Sequence, residues 1–343
     1  MKHKFTNDYS SLCHPRILNA LASLEEEQNT AYGLDKYSLN AEFLIKKTFN
    51  SPSGKVYFIG GGTMTNLLFI SYALKPYEAV IALETGHINV HETGAVEATG
   101  HKIITVKGKN GKMYPHDIIG VLNTFTNEHM VKPGMVYISN STEIGTIYTK
   151  QELLDLSKIC KDNDLYFFID GARLGSALTS KENDVEPELF GQVCDAFYVG
   201  GAKNGLLLGE ALVINNRDLQ KDFRYHIKNR GAMISKGFIL GRVFEEAFKD
   251  NLYFDIAKAT NDIADYLKEG LKSLNIKMLD SPTNQVFAYF NPLDAKKLIK
   301  EYGLELWEDQ GEEIIVRFVT SFTTKKEDVD ELIDYLKKEI VKI

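Results

Sequence analysis

The stretch Leu165-Tyr166-Phe167-Phe168-Ile169-Asp170-Gly171-Ala172-Arg173 decides how the rest of the chain reads. An unbroken apolar run closed by an acid and a glycine predicts a strand buried on both faces, not a half-exposed one. In an open parallel sheet, ligands bind beyond the carboxyl ends of the strands, which is where Asp170 emerges. The plainer alternative for Asp170 is a helix cap or a structural ion pair.

Working outward, residues 55–60, 79–83, 102–107, 134–140 and 195–200 repeat the pattern and are expected to be strands of the same kind. Segments such as 66–74 and 151–163 carry apolar residues at helical spacing between them. Strands alternating with helices predict an α/β fold, a mostly parallel sheet wrapped by helices. After residues 209–215 the rhythm changes. Residues 218–252 read as mostly helical with a break near 229–232, residues 253–274 as an amphipathic helix, 285–290 and 313–320 as strands, and 326–341 as a closing helix. That order predicts a smaller C-terminal α+β domain. The expected division is residues 1–245 for an N-terminal arm plus a large domain and 246–343 for the small one.

The chain has 343 residues, with 40 Lys plus Arg against 47 Asp plus Glu and a net charge of −7. A composition of 44% hydrophobic and 25% charged residues excludes disordered, collagen-like and coiled-coil classes. No run of basic residues collects into a stripe that would follow phosphates, so neither nucleic acid nor a membrane surface is the expected partner. A small molecule is. The three cysteines, Cys13, Cys160 and Cys194, are far apart and lack CxxC spacing, so neither a disulfide framework nor a zinc site is indicated. The polar start and the lack of a long apolar run lead us to expect a soluble, cytoplasmic protein.

Three further pieces share the strand-to-helix position of Asp170. Gly60-Gly61-Gly62-Thr63-Met64-Thr65-Asn66 follows an expected strand and opens a helix, so backbone N–H groups and threonine hydroxyls make either an anion cradle or a plain tight turn. Glu84-Thr85-Gly86-His87-Ile88-Asn89-Val90-His91-Glu92 places an imidazole past another strand end. It does not match the HExxH arrangement, no metal is expected, and His87 reads as a flat ring over a ligand or as a satisfied half-buried histidine. Asp195-Ala196-Phe197-Tyr198-Val199-Gly200-Gly201-Ala202-Lys203 ends a strand in a glycine-rich turn that carries a lysine, and most lysines are solvated surface charges. Together the four meet the needs of pyridoxal 5'-phosphate: donors for a phosphate, a carboxylate for the pyridine nitrogen, a ring to stack, and an amine for the aldehyde.

At these residues the sequence resembles the threonine aldolase and β-eliminating lyase group of fold-type I pyridoxal-phosphate enzymes. The resemblance runs from Phe5-Thr6-Asn7-Asp8-Tyr9 to Arg317-Phe318-Val319-Thr320-Ser321. Its specific marks are Tyr32-Gly33, Gly62-Thr63-Met64-Thr65-Asn66, Gly86-His87-Ile88, Glu92-Thr93-Gly94-Ala95, Asp170-Gly171-Ala172-Arg173 and the Lys203 turn. It implies that Gly62 and Thr63 hold the phosphate, His87 stacks on the pyridine ring, Asp170 faces its nitrogen and Lys203 is the Schiff-base lysine. It further implies that Arg173 and Arg317 hold the substrate carboxylate, with Asn7 and Tyr32 also on the substrate side. A homodimer or homotetramer with active sites at the subunit interface is implied as well, where Tyr32, Lys228 and Arg230 reach a neighbouring chain's cofactor.

The expected function is cleavage of β-hydroxy-α-amino acids to glycine and an aldehyde, as in a low-specificity L-threonine aldolase. β-Elimination or an aminotransferase-type reaction on another small amino acid is the alternative. One departure bears on activity. Where the family carries Glu-Asn-Thr-His-Asn, this chain has Ser139-Asn140-Ser141-Thr142-Glu143, and Thr142 is no base at neutral pH. His87, His91, Glu92 or a water is then expected to take the histidine's part, or the reaction is not threonine cleavage. The family's Asp-Asp-Pro after Tyr-Gly is also altered, to Leu34-Asp35-Lys36-Tyr37.

Overall fold

The computed structural model describes residues 4–24 and 26–341. Its main sheet has seven strands: β1 (Lys55–Ile59), β2 (Glu78–Leu83), β3 (Ile103–Val106), β4 (Lys132–Ser139), β5 (Tyr166–Asp170), β6 (Ala196–Gly200) and β7 (Glu210–Ile214). They lie in the order β1-β7-β6-β5-β4-β2-β3. The run from β6 through β3 is parallel, while β7 is antiparallel to both β6 and β1. Only residues 201–209 join β6 to β7, too short a link for the crossover that a parallel partner requires.

Side-chain alternation along β5 divides the core into two layers. Phe167 and Ile169 join a cluster that also holds Ile45, Leu153, Leu156, Val243 and Phe244, whereas Phe168 joins one on the opposite face with Phe69, Ile70 and Phe223. The helices Lys36–Thr48, Lys150–Asp162 and Phe238–Phe248 supply the first cover, and Gly62–Ala73 with Phe223–Asn229 the second. Burial on both faces, expected for every strand, holds along β2, β6 and β7. It fails in part at the rims, where β1 and β3 mix buried positions with partly covered and exposed ones because each has a neighbour on one side alone.

A second, antiparallel sheet of β8 (Gln285–Phe290), β9 (Glu305–Asp309) and β10 (Ile314–Val319) has the order β8-β10-β9. The helices Leu252–Ser273 and Lys326–Tyr335 pack their Leu267, Leu271, Val329 and Leu332 against it. β9 was not expected from sequence. Its charged side chains leave it largely exposed, as suits an edge strand. The helix Pro292–Tyr302 was missed too, although Asn291 accepts from the N–H groups of Leu293 and Asp294 and Gly303 ends it at φ +65°. The N-terminal arm crosses to this sheet: Val319 N–H donates to the carbonyl of Phe5 at 2.8 Å, and Phe5 is buried in the second core.

Two contacts fix the carboxyl ends of β5 and β6. Gly171 and Gly200 approach the facing backbone so closely that a Cβ on Gly171 would lie 1.9 Å from the carbonyl of Tyr198, and one on Gly200 2.1 Å from that of Ala172. From the long helix, the Tyr253 hydroxyl donates to the Gly200 carbonyl at 3.1 Å and accepts from Gly175 N–H at 3.2 Å. A methyl group at 171 must therefore pry the two strands apart. Gly171→Ala is expected to lose about 1–3 kcal/mol in urea unfolding, the usual cost of overpacking. Gly120→Ala, in a helix where an added Cβ meets nothing within 4 Å, should gain about 0.5–1 kcal/mol in the same assay. An unchanged midpoint for Gly171→Ala would show that these strand ends have room to part.

Candidate active site

The carboxyl ends of β4, β5 and β6 open on a cavity of about 330 Å³. Gly62, Thr63, His87, Glu143, Asp170, Arg173, Lys203 and Glu210 are among its walls. A second lobe of about 280 Å³ shares Tyr9, His87, His91, Glu143, Arg173 and Lys203 with the first and adds Gln285, Glu305, Trp307 and Arg317. Residues that the sequence scatters over more than three hundred positions thus border one crevice.

Asp170, last in β5, is buried. Tyr198 Oη and Tyr137 Oη each donate to it at 2.5 Å, Ala172 N–H at 3.0 Å and Asn66 Nδ2 at 3.1 Å. Burial pushes its pKa up; the nearby charge of His87 and the donated hydrogen bonds outweigh this and hold the carboxyl below its ordinary value. It is an anion at neutral pH. The same Asn66 Nδ2 donates at 2.7 Å to Glu92 Oε1, which also meets His87 Nδ1 at 2.7 Å. Glu92 is therefore spent on holding the imidazole and is buried behind it, away from both lobes. Of the sequence-based candidates for substrate proton transfer, His87 and His91 border the lobes and Glu92 does not.

Lys203 stands in the short turn Ala202–Asn204 after β6. Its Nζ makes no hydrogen bond or salt bridge among the described residues. Burial first, then the charge of Arg173, lowers its pKa, with Asp8, Asp170 and Glu210 pulling the other way. An amine so placed is readily deprotonated and nucleophilic. Glu210 is fully buried beside it; burial pushes its carboxyl up, while Gly201 N–H, donating at 2.8 Å, and Lys203 pull it down.

Among the described residues no side chain caps the helix Gly62–Ala73, and its first two residues, Gly62 and Thr63, line the cavity. A Cβ on Gly61 would meet nothing within 4 Å, and one on Gly62 would lie 3.2 Å from the Tyr198 hydroxyl. Side chains here would fill the mouth of the cradle. An open helix N-terminus, an ionised Asp170, a half-exposed His87 and an uncommitted Lys203 amine together fit pyridoxal phosphate. Among the described residues there is no group of three or more His, Cys, Asp or Glu placed to hold a metal ion.

The two arginines differ. Arg173 gives Nε and Nη2 to Asp8 at 2.7 and 3.0 Å, a bidentate buried pair that ties the N-terminal arm to the crevice. Arg317, on β10, reaches Gln285 Oε1 at 3.2 Å and Glu305, and its buried Nε has no partner among the described residues. Its guanidinium lies 5.2 Å from the ring of Trp307. Asn7 turns its carbonyl to Tyr9 N–H, and Tyr9, not Asn7, lines the lobes. Tyr32, with φ +62° and the Lys228 ammonium 4.9 Å over its ring, lies outside both lobes, as do Lys228 and the exposed Arg230. One chain thus brings together Gly62, Thr63, His87, Asp170, Arg173, Lys203 and Arg317 and leaves Asn7, Tyr32, Lys228 and Arg230 apart.

Tyr137, Tyr198, Asp8, Glu143, Glu210 and Trp307 escaped the sequence reading. The tyrosines had a signal available. With Ser139 paired to Asp170 and Phe168 to Ala196, the alternation of β4 and β6 turns Tyr137 and Tyr198 to the Asp170 face. Asp8 and Trp307 had none, since nothing local ties them to residues so distant in sequence.

Comparison with known proteins agrees with this geometry. The family model described as β-eliminating lyase matches residues 8–292. The low specificity L-threonine aldolase of Pseudomonas aeruginosa is 30% identical over 331 residues, 95% of this chain and 94% of that protein. The protein of the same name from a Pseudomonas species is 31% identical over 264 residues, 76% of each. A solved structure of Leishmania major threonine aldolase superposes with a TM-score of 0.95 at 43% identity, covering 97% of this chain and 98% of that one. With sequence, fold and crevice in agreement, this chain belongs to the β-eliminating lyase family, pyridoxal-phosphate-dependent lyases of fold type I related to the threonine aldolases.

Proposed function

We propose that the chain cleaves the Cα–Cβ bond of β-hydroxy-α-amino acids, giving glycine and an aldehyde, as its relatives named low specificity L-threonine aldolases do. The observation that carries this reading is a single crevice holding an unengaged Lys203 amine, an ionised Asp170 and, in its second lobe, an Arg317 whose Nε lacks a partner. Bound pyridoxal phosphate supplies an electron sink for the pair left on the substrate's α-carbon.

The protein's residues do the rest. The N–H groups and hydroxyl at Gly62 and Thr63 would receive the phosphate, and His87, held by Glu92, would border the ring. Asp170, kept anionic by its four donors, would favour a proton on the pyridine nitrogen. Lys203 is the amine that would anchor the aldehyde, and, once free, would move protons at the α-carbon. Arg317, with Arg173 beside it, takes the substrate carboxylate. Fixing that group decides which bond at the α-carbon is broken.

A homodimer or homotetramer with shared active sites is part of this reading. Tyr32, Lys228 and Arg230 lie outside the crevice of their own chain, and the helix Lys36–Thr48 leaves Leu39 56% and Phe43 62% exposed. Its buried, unpaired thiols suit a reducing cytoplasm. Among the described residues, no helix is long and apolar enough to cross a membrane.

The purified enzyme loaded with the cofactor is expected to release glycine and acetaldehyde from L-threonine or L-allo-threonine; pyruvate from serine or cysteine, with no glycine from either threonine, would replace this reading with β-elimination. Borohydride reduction followed by peptide mass spectrometry should place the cofactor's mass on Lys203, and Lys203→Ala should carry none. Asp170→Asn, which removes a charge facing the reaction's electron sink, should slow cleavage by about 10²-fold or more while the fold is retained by circular dichroism. A rate within a factor of a few of the wild type would remove Asp170 from the chemistry.

A further inference from the structure

Breaking Cα–Cβ in a β-hydroxy amino acid requires a group that takes the hydroxyl proton, and Thr142 has no such capacity at neutral pH. The other acids of the crevice are spent or open on one lobe alone. Asp170 is held by four donors, Glu92 sits behind His87, Glu210 lines only the lobe with Lys203, and Glu305, bound to Arg317, lines only the other. Glu143 differs. Among the described residues it is the only carboxylate that lines both lobes, the one with Lys203 and Asp170 and the one with Arg317.

Its position is fixed from two sides. Glu143 Oε1 accepts from the backbone N–H of His87 at 3.0 Å and from the hydroxyl of Ser139 at 2.7 Å. Ser139 is the last residue of β4 and pairs with Asp170 in the sheet, while His87 carries the ring that borders the same cavity. The carboxylate is thereby pinned between the stacking ring and the strand end, with both hydrogen bonds on one oxygen.

Resting on the reaction proposed above, we infer that Glu143 is the acid–base group of this site and accepts the substrate's β-hydroxyl proton. The O–H bond breaks as its proton passes to the carboxylate, and the oxygen's electron pair becomes the second bond of the aldehyde carbonyl. The Cα–Cβ pair stays on the α-carbon, where a proton delivered by the Lys203 amine and replenished from solvent converts it to the C–H bond of glycine. Glu143 returns its proton to solvent. No oxidant, reductant or water is consumed.

The electrostatics favour Glu143 over His91, the second imidazole that borders both lobes. His91 is oriented by no hydrogen bond among the described residues, and its ring packs 6.3 Å from Trp307 and 5.6 Å from His87. Burial first, and then the charges of His87, Arg317 and Lys203 against the opposing pull of Glu305, lower its pKa. To act as a base it must become a cation among cations. Glu143 becomes neutral instead, and burial, helped by Asp170, already raises its proton affinity against the pull of the Ser139 and His87 hydrogen bonds. Tyr137 and Tyr148, also within its field, are pushed well above their ordinary range by burial and stay neutral.

The test separates cleavage from steps that involve no hydroxyl. Holoenzyme, Glu143→Gln, Glu143→Asp and His91→Asn are compared for threonine cleavage, for exchange of the glycine α-proton in deuterium oxide, and for glycine affinity from the absorbance of the bound cofactor. Glu143→Gln should cleave about 10²- to 10⁴-fold more slowly while exchange and glycine affinity stay within about threefold, and Glu143→Asp should recover part of the loss. Parallel loss of cleavage, exchange and affinity would make Glu143 a structural residue and overturn the inference. So would cleavage by Glu143→Gln within about tenfold of wild type, or a selective loss in His91→Asn alone. A wild-type enzyme that makes no glycine and aldehyde would overturn the proposed function, and the inference with it.

Discussion

A negative charge kept alive in the interior organises this protein. Asp170 lies at the end of a central strand with almost no access to water, and an isolated carboxylate there would take up a proton instead of ionising. It remains an anion because donors reach it from four directions: a tyrosine from each flanking strand, the backbone two residues on, and an asparagine from the helix that opens at Gly62. Each donor depends on register. Slide β4 or β6 by one residue and its tyrosine points into the opposite core.

The same asparagine extends the arrangement outward. Through Asn66 the carboxylate is linked to Glu92, and through Glu92 to the imidazole of His87. His87 in turn gives its backbone N–H to Glu143. A chain of hydrogen bonds thus runs from the floor of the crevice to its rim, so Asp170, His87 and the proposed proton acceptor are held by one network. The glycines at 171 and 200 are the steric counterpart, letting β5 and β6 close tightly enough for the Tyr198–Asp170 contact.

The crevice is also where separate parts of the chain are joined. Asp8 from the N-terminal arm locks Arg173, Asn284 donates to Asp8 at 2.9 Å, and Arg317 arrives from the second sheet. Phe5 inserts into that sheet's core three residues before Asp8. The arm is thus a strap whose two ends serve different structures, one anchoring in the small sheet and the other holding an arginine of the large one. Tyr253 plays a similar part from the long helix, sharing its hydroxyl between Gly175 and Gly200.

Much of this was legible in the order of the residues. Apolar runs of strand length ending in Gly, Asp or a Gly-rich turn announced the parallel sheet, and the residues at or just past those ends, Gly62, Thr63, His87, Asp170 and Lys203, border one cavity, because strand, turn and helix start are local properties of consecutive residues. Edge strand β9 and the helix Pro292–Tyr302 stayed hidden, the first because charged, exposed positions carry no strand period. Tertiary structure alone decided which acids were spent and which were available. Glu92, adjacent to His91 in sequence, is turned inward to hold His87, whereas Glu143, one residue past the threonine that replaces a histidine, faces both lobes. The difference lies in direction and partner, which depend on how distant strands and helices close around a side chain, and no local pattern encodes that.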